Sequence, residues 1–434
     1  MLHSESHYKK LAKLVENLKR HNSYFYNFET KDIKKMYEEM PVITKRDILL
    51  HFEEYISDLF VKDYLGQNSI LEYLLEVKEL SANHDRVYVG KSGRKWIIET
   101  TTGSTGKPFT IVKSPSEKLI ESKFLFDMRK RFYPDVNLEN GFLLLQPTDN
   151  YIKSISYRGI SDKKIPLILN YMFKCMPKWL LITTLLLRKL YKSIIKSNLE
   201  KKVRELRLFF IEITSQTLSL EEKVELEELF GCPIVNQFGC REVWNIAYEC
   251  PCGKMHVNNK YLMVDLMDEE GKLIKEKGKE GTVILTSLLH QSFPFIKYHL
   301  ADYAFFSDED CVCGNSAPII VFSGGRKKDK LIGSNYYGTE IFRKLMRYIY
   351  FKCPELEVKD IFITQTEEKK IRILVVLNEQ KRKAFEKIFK DTLDFLIGKN
   401  YYVLLFTYTD VIMCNKNVLK PEIFENFYTY TEKK

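Results

Sequence analysis

Leu11, Leu14, Val15 and Leu18 recur at i, i+3, i+4 and i+7 among lysines and glutamates, the spacing of one apolar helix face. Pro41 breaks that pattern, and TKRDILLHFEEYI restarts it with Thr44 as an N-cap, so residues 1 to about 90 read as helical. From about 90 to 325 the pattern changes. Short apolar runs (GFLLLQ, LRLFFIEIT, CPIVNQFG, GTVILTSL, APIIVFSGG) alternate with helical ones such as SLEEKVELEELFG, which ends at Gly231. Alternation of this kind predicts an α/β unit. After Arg326 it restarts: TEIFRKLMRYIYF reads as a helix, KDIFITQTEEKKIRILVVL as two strands around a polar turn, and EQKRKAFEKIFKDTLDFLIG as a second helix. That is enough for a small α+β domain over 327–434.

Between two strand-like runs lies TTTGSTGKP, residues 100–108. It is not a Walker loop, which needs G-x-x-x-x-G-K-[ST] and a helix start after the lysine. Here Pro108 follows Lys107 and the chain continues as FTIVKS, a strand. A strand–loop–strand turn of this composition still suits an anion. Gly103 and Gly106 let backbone N–H groups converge, Thr101, Thr102, Ser104 and Thr105 offer hydroxyl donors, and Lys107 adds charge.

The chain has 434 residues, more than one core usually holds, and a formal net charge of +10. That charge suits phosphate-rich ligands, acidic carriers, nucleic acid or anionic membranes without choosing among them. Residues 171–208 carry ten Lys/Arg against two Glu around the apolar WLLITTLLL. They read either as a core helix followed by a solvated basic helix, or as a peripheral patch for an anionic membrane or carrier. The N-terminus has no apolar signal region, and the nine residues between Lys178 and Arg188 are too few to span a bilayer. A cytoplasmic location is expected, with the nine cysteines as thiols or metal ligands.

ECPCGKMH supplies Cys250, Cys252 and His256, and CVCGN supplies Cys311 and Cys313. Four thiolates, or three with His256, would satisfy a tetrahedral structural Zn²⁺; buried or free thiols are the other reading.

TTGSTGKP resembles the phosphate-gripping loop of the adenylate-forming enzymes (acyl-CoA synthetases, luciferases and peptide-synthetase adenylation domains). Its form is closest to the phenylacetate–CoA ligase and capsular polysaccharide CapK-like branch. Further motifs of the family follow in order. NQFGCRE, 236–242, is similar to Tyr-Gly-x-Ser/Thr-Glu; PFIKYHLADY, 294–303, to Pro-x-Ile-Arg-Tyr-x-x-Gly-Asp; and SGGRKKDKLI to the Gly-Arg-x-Asp/Lys-Asp hinge. Cysteine and histidine positions like those above also occur in the phenylacetate–CoA ligase-like branch.

The resemblance implies an α/β fold with a large N-terminal adenylate-forming domain and a small mobile α+β C-terminal domain. Residues 1–90 would be the helical start of the large domain, 91–326 its nucleotide- and acyl-binding body, and 327–434 the small domain. It implies that Glu242 binds Mg²⁺, that Phe238 and Gly239 lie along adenine or acyl group, and that Asp302 accepts from both ribose hydroxyls. Arg326 would contact ribose or phosphate, and Lys328 would sit at the hinge. The sequence departs from the family at Arg241, Lys297, Leu300 and Ala301, and Val418 falls where the adenylation lysine is expected, with Lys416 and Lys420 nearby. The implied activity is ATP- and Mg²⁺-dependent activation of a small-molecule carboxylate, with transfer to CoA or a carrier-protein thiol and no nucleic-acid partner. The alternatives are a CapK-like adenylating protein of surface-polysaccharide biosynthesis with a non-thiol acceptor, and a catalytically weak nucleotide-binding assembly protein.

Overall fold

A computed structural model of the chain describes residues 3–28, 31–65, 70, 86–100, 110–144, 165–214, 218, 220–326, 331, 338–358, 360–398, 402–409 and 424–426. It divides into two compact units, one of residues 1–300 and 304–321, the other of residues 301–303 and 322–434.

The first helix, Glu5–His21, buries Leu11, Leu14, Val15 and Leu18, the apolar stripe expected from their spacing. Thr44 caps the helix Lys45–Leu50 through a capping box with Asp47. TKRDILLHFEEYI is not one continuous helix, because at His51 (φ −118°, ψ 33°) the backbone leaves helical geometry before Phe52–Tyr55. The helical reading of residues 1–90 also fails at its end. Arg86–Val89, with its alternating Val87 and Val89, is a strand paired antiparallel with Lys95–Thr100.

A six-stranded sheet organises the larger unit. Its order is Gly141–Leu144, Trp179–Thr183, Phe210–Thr214, Ile234–Phe238, Ala247–Glu249, Met255–Val257, the first four parallel and the last two antiparallel. Both faces are covered, so the parallel strands read as continuous apolar runs. Phe142, Leu180, Ile182, Ile211, Ile213 and Ile234 form one core with the helices Ile165–Cys175, Thr184–Lys196 and Leu220–Phe230. Trp179, Leu181, Phe210 and Val235 face the other way, onto Leu125 of the helix Pro115–Arg129. WLLIT is thus a buried strand rather than part of a core helix. Its own aromatic and β-branched residues, Trp179, Ile182 and Thr183, suit a strand paired on both sides, and the helical pattern of the leucines begins only after it.

On that second face lies a buried ion pair. Arg129 Nε donates to Glu212 Oε2 (2.7 Å) and Nη2 to Oε1 (2.9 Å), and the Tyr248 hydroxyl donates to Oε2 (2.7 Å). Removing one partner strands a buried charge. Arg129→Met should therefore cost about 3–5 kcal/mol, read as a drop in the urea midpoint. An unchanged midpoint would mean Glu212 finds solvent or another cation.

The smaller unit has the expected α+β pattern. Strands Asp360–Glu367 and Lys370–Val376 pair antiparallel, Val403–Tyr408 adds parallel to the second, and Phe424–Asn426 adds parallel to the first. Ile371, Ile373 and Val375 point inward and pack with Phe342 and Leu345 of the helix Gly338–Lys352 and with Phe385 and Phe389 of the helix Arg382–Ile397. Among the described residues, no helix is long and apolar enough to cross a membrane.

Candidate active site

Lys95–Thr100 pairs antiparallel with Thr110–Lys113, Thr100 opposite Thr110. The segment between them therefore leaves one strand and returns on its neighbour, as the strand–loop–strand reading requires. Thr101, Thr102, Gly103, Ser104, Thr105, Gly106 and Lys107 themselves lie outside the described residues, as do Lys328, Lys416 and Lys420.

The motif NQFGCRE begins on a strand and ends in a turn. Asn236 is held at its start, its backbone N–H donating to Glu249 Oε2 at 2.7 Å and its side-chain amide to the same oxygen at 2.6 Å. Phe238 ends the strand, and its carbonyl accepts from the Ile246 N–H at 2.9 Å. The turn between them closes against Gly239, where any Cβ would run into the Trp244 carbonyl oxygen. Trp244 itself takes a left-handed φ of 60°. Since the obstacle is backbone, Gly239→Ala should unfold this turn. The expected result is insoluble protein or a sharply lowered denaturation midpoint, whereas wild-type solubility and midpoint would show the turn can widen.

Glu242 sits in this turn, buried. The Tyr298 hydroxyl donates to its Oε1 at 3.1 Å. Tyr298 opens the strand Tyr298–Phe306, so the fold brings NQFGCRE and PFIKYHLADY together. Burial, together with the Glu242 charge and a hydrogen bond to it, pushes the Cys240 thiol well above its ordinary value, so the thiol stays protonated beside the carboxylate. Asp302 lies part-buried within Tyr298–Phe306, and Arg326 is the last residue of Ile320–Arg326. Lys297, where the resemblance leads one to expect arginine, points elsewhere. Its Nζ donates to the carbonyls of Met40 (2.6 Å) and Glu38 (3.2 Å), closing the C-terminal end of the helix Ile33–Glu39, and burial lowers its pKa.

A charged cluster that sequence reading did not single out lies behind the turn. Lys113 Nζ donates to Glu121 Oε1 (2.7 Å) and to the Arg241 carbonyl (3.0 Å), and lies 3.0 Å from Glu99 Oε2. Lys118 pairs with Glu99 and covers the Trp244 ring at 3.4 Å. The one sequence signal was a lysine continuing the apolar TIV of a strand.

The cysteine motifs converge in the larger unit. Ligand atoms of Cys250, His256, Cys311 and Cys313 lie within 4.8 Å of one another. Cys250 Sγ is 3.6 Å from Cys311 Sγ, and Cys313 Sγ is 3.4 Å from His256 Nε2. The first separation is far longer than a disulfide and close to the S–S edge of about 3.8 Å of a tetrahedron with Zn–S near 2.3 Å. His256 Nδ1 meets the Ala317 carbonyl at 2.9 Å, which leaves Nε2 to face the thiols. Cys252 is exposed and outside this group of four, but its thiol interacts with those of Cys311 and Cys250, so it stands at the edge of the same cluster.

Over 98% of its length the chain superposes on 90% of 2-hydroxyisobutyryl-CoA ligase, solved in the postadenylation state in complex with 2-HIB-AMP, with a TM-score of 0.69 and 13% identity. The chain has the fold of the adenylate-forming acyl-CoA ligases. A second structure with this adenylate-forming fold, o-succinylbenzoate CoA synthetase from Bacillus subtilis in complex with OSB-AMP, matches at a TM-score of 0.53 and 15% identity, over 74% of this chain and 66% of that one. In sequence, 147 residues are 24% identical to a phenylacetate-coenzyme A ligase from Thermus thermophilus, about a third (32%) of either chain. No family model matches.

The basic segment 171–208 contributes the buried strand Trp179–Thr183 to the six-stranded sheet and, on either side of it, residues of the helices Ile165–Cys175, Thr184–Lys196 and Glu200–Arg204. Part of its charge is answered locally, since Arg188 pairs with Glu222 of the acidic helix Leu220–Phe230 (2.8 Å) and Lys202 covers the Phe173 ring at 4.4 Å. Lys174, Ile195, Lys196 and Lys201 are exposed.

Proposed function

We propose that the chain is an ATP-dependent, AMP-forming ligase that activates a carboxylate and passes the acyl group to a thiol. The observation that carries this reading is the Tyr298–Glu242 hydrogen bond, which joins two of the ordered motifs on an adenylate-forming fold. A carboxylate oxygen attacks the α-phosphorus of ATP, the bond to the bridging oxygen breaks, and pyrophosphate leaves. A thiol sulfur, of CoA or a carrier pantetheine, then attacks the acyl carbon and AMP leaves.

Glu242 is the residue for Mg²⁺. A single carboxylate fixed by Tyr298 suits an ion that takes one or two carboxylates and completes its shell with water and phosphate oxygens. When bound, the ion neutralises charge on the reacting phosphates. In this reading residues 101–107 hold the β- and γ-phosphates, Phe238 and Gly239 line the adenine or acyl group, and Asp302 accepts from the ribose hydroxyls. Arg326 meets ribose or phosphate, Lys328 serves domain rotation, and Lys416 or Lys420 supplies the charge that Val418 lacks. Cys250, His256, Cys311 and Cys313 hold a structural Zn²⁺, a closed donor set with no open position for substrate. The basic face over 171–208 supports an acidic carrier or an anionic membrane as a further contact.

ATP–pyrophosphate exchange across a panel of carboxylates tests the reading. Exchange with a thioester product is expected. Exchange without a thioester would move the acceptor away from a thiol, and absence of exchange despite measurable ATP binding would overturn the ligase reading.

A further inference from the structure

Glu242 occupies a turn whose backbone carbonyls are gripped from both sides. Before it, the Arg241 carbonyl accepts from Lys113 Nζ at 3.0 Å. After it, the Tyr261 hydroxyl lies 3.1 Å from the carbonyls of both Val243 and Asn245. Tyr261 is itself fixed by stacking on Phe124, with ring centroids 4.9 Å apart. We propose that Lys113 and Tyr261 are positioning residues that set where the Glu242 carboxylate points, a role that rests on the assignment of Glu242 to Mg²⁺.

The placement of Lys113 gives a fully buried lysine a role there. It closes the strand Thr110–Lys113, the return strand of the 101–109 segment, so one side chain ties the stem of that segment to the turn bearing Glu242. Its charge is answered by Glu99, 3.0 Å away, and by Glu121, which also meets His290 Nε2 at 2.9 Å. Against the upward push of burial, Lys113 and His290 hold the Glu121 carboxyl down at about 2, so the carboxylate stays ionised. A buried cation with an ionised partner costs desolvation that an apolar pair would avoid. What it provides here is a donor of fixed position against the Arg241 carbonyl. Tyr261 does the same with a neutral group.

The test separates positioning from support of the fold. Tyr261→Phe keeps the ring and removes the hydroxyl. Lys113→Met alone would strand Glu121, so it is combined with Glu121→Gln, which keeps the net charge of the cluster, and is compared with Glu121→Gln alone. The readout is the half-saturating Mg²⁺ concentration in ATP–pyrophosphate exchange at saturating ATP, set against the maximal rate and thermal midpoint of each variant. Groups that orient a metal ligand typically contribute 10–100-fold in metal affinity. We expect half-saturation to rise about tenfold in Lys113→Met/Glu121→Gln and at least about threefold in Tyr261→Phe, with Glu121→Gln near wild type. A purely structural role would lower the thermal midpoint and leave half-saturation in place. Half-saturation within about twofold of wild type in folded Tyr261→Phe and in the double variant, or in folded Tyr261→Phe alone where the double variant does not fold, overturns the proposal. Glu242→Gln distinguishes the two levels. If it retains exchange, the metal assignment fails; if it loses exchange while the other variants keep wild-type Mg²⁺ dependence, only the positioning role fails.

Discussion

Glu242→Gln should lower ATP–pyrophosphate exchange by about 100- to 1,000-fold, the loss typical when one preorganised electrostatic group is removed from a reacting site. Stability should change little. Glutamine keeps an oxygen to accept from the Tyr298 hydroxyl, so the folded state loses at most the charge-assisted part of that hydrogen bond, about 1 kcal/mol. The pairing of a large rate effect with a small stability effect is what distinguishes a metal ligand from a buried structural carboxylate. Glu212 is the contrast: it lies under Arg129 and Tyr248 in the core of the sheet, and losing a partner there should cost stability first. Undiminished exchange in Glu242→Gln, at rates confirmed across Mg²⁺ concentrations, would sink the assignment.

The second large effect is expected at the cysteine cluster. Purified protein should carry one zinc per chain by elemental analysis, and Cys311→Ser should lose it. Zinc binding in small peptides contributes about 10–16 kcal/mol of folding free energy. In this chain the two cysteine turns are also joined by backbone bonds, among them Val257 N–H to the Pro318 carbonyl (2.9 Å), so only part of that contribution is at stake. A destabilisation of several kcal/mol and a fall in the denaturation midpoint on chelation are still expected. Cys252→Ser should keep the full zinc content, because Cys252 lies at the exposed edge of the cluster and the other four already supply a complete tetrahedral set. Metal-free wild-type protein, or retention of zinc in Cys311→Ser, would refute a three-cysteine, one-histidine site.

Local patterning carried much of the architecture. The spacing of Leu11, Leu14, Val15 and Leu18 sufficed for the first helix because only one of its faces could be apolar. The end of Leu220–Phe230 at Gly231 followed from a left-handed φ of 67° that glycine adopts without strain. Where local signals competed, tertiary contacts decided. WLLIT is a strand because it pairs on both sides, with Gly141–Leu144 and Phe210–Thr214, and the break at His51 has no composition signal at all.

The candidate site divides in the same way. The sequence by itself determined the order of the chemical groups: a threonine- and glycine-rich turn, a glutamate after a strand, an aspartate in a later strand, and two cysteine turns. It could do so because each is a short run whose residue types and spacing have a direct chemical meaning. Only the tertiary structure decided which of these meet. Tyr298 reaches Glu242 across 56 positions, Cys252 ends at the exposed edge of the cysteine cluster, and Lys113 finds the Arg241 carbonyl 128 positions away. Such partners are set by strand register and helix packing across the core, and no local pattern encodes a distance between residues so far apart along the chain.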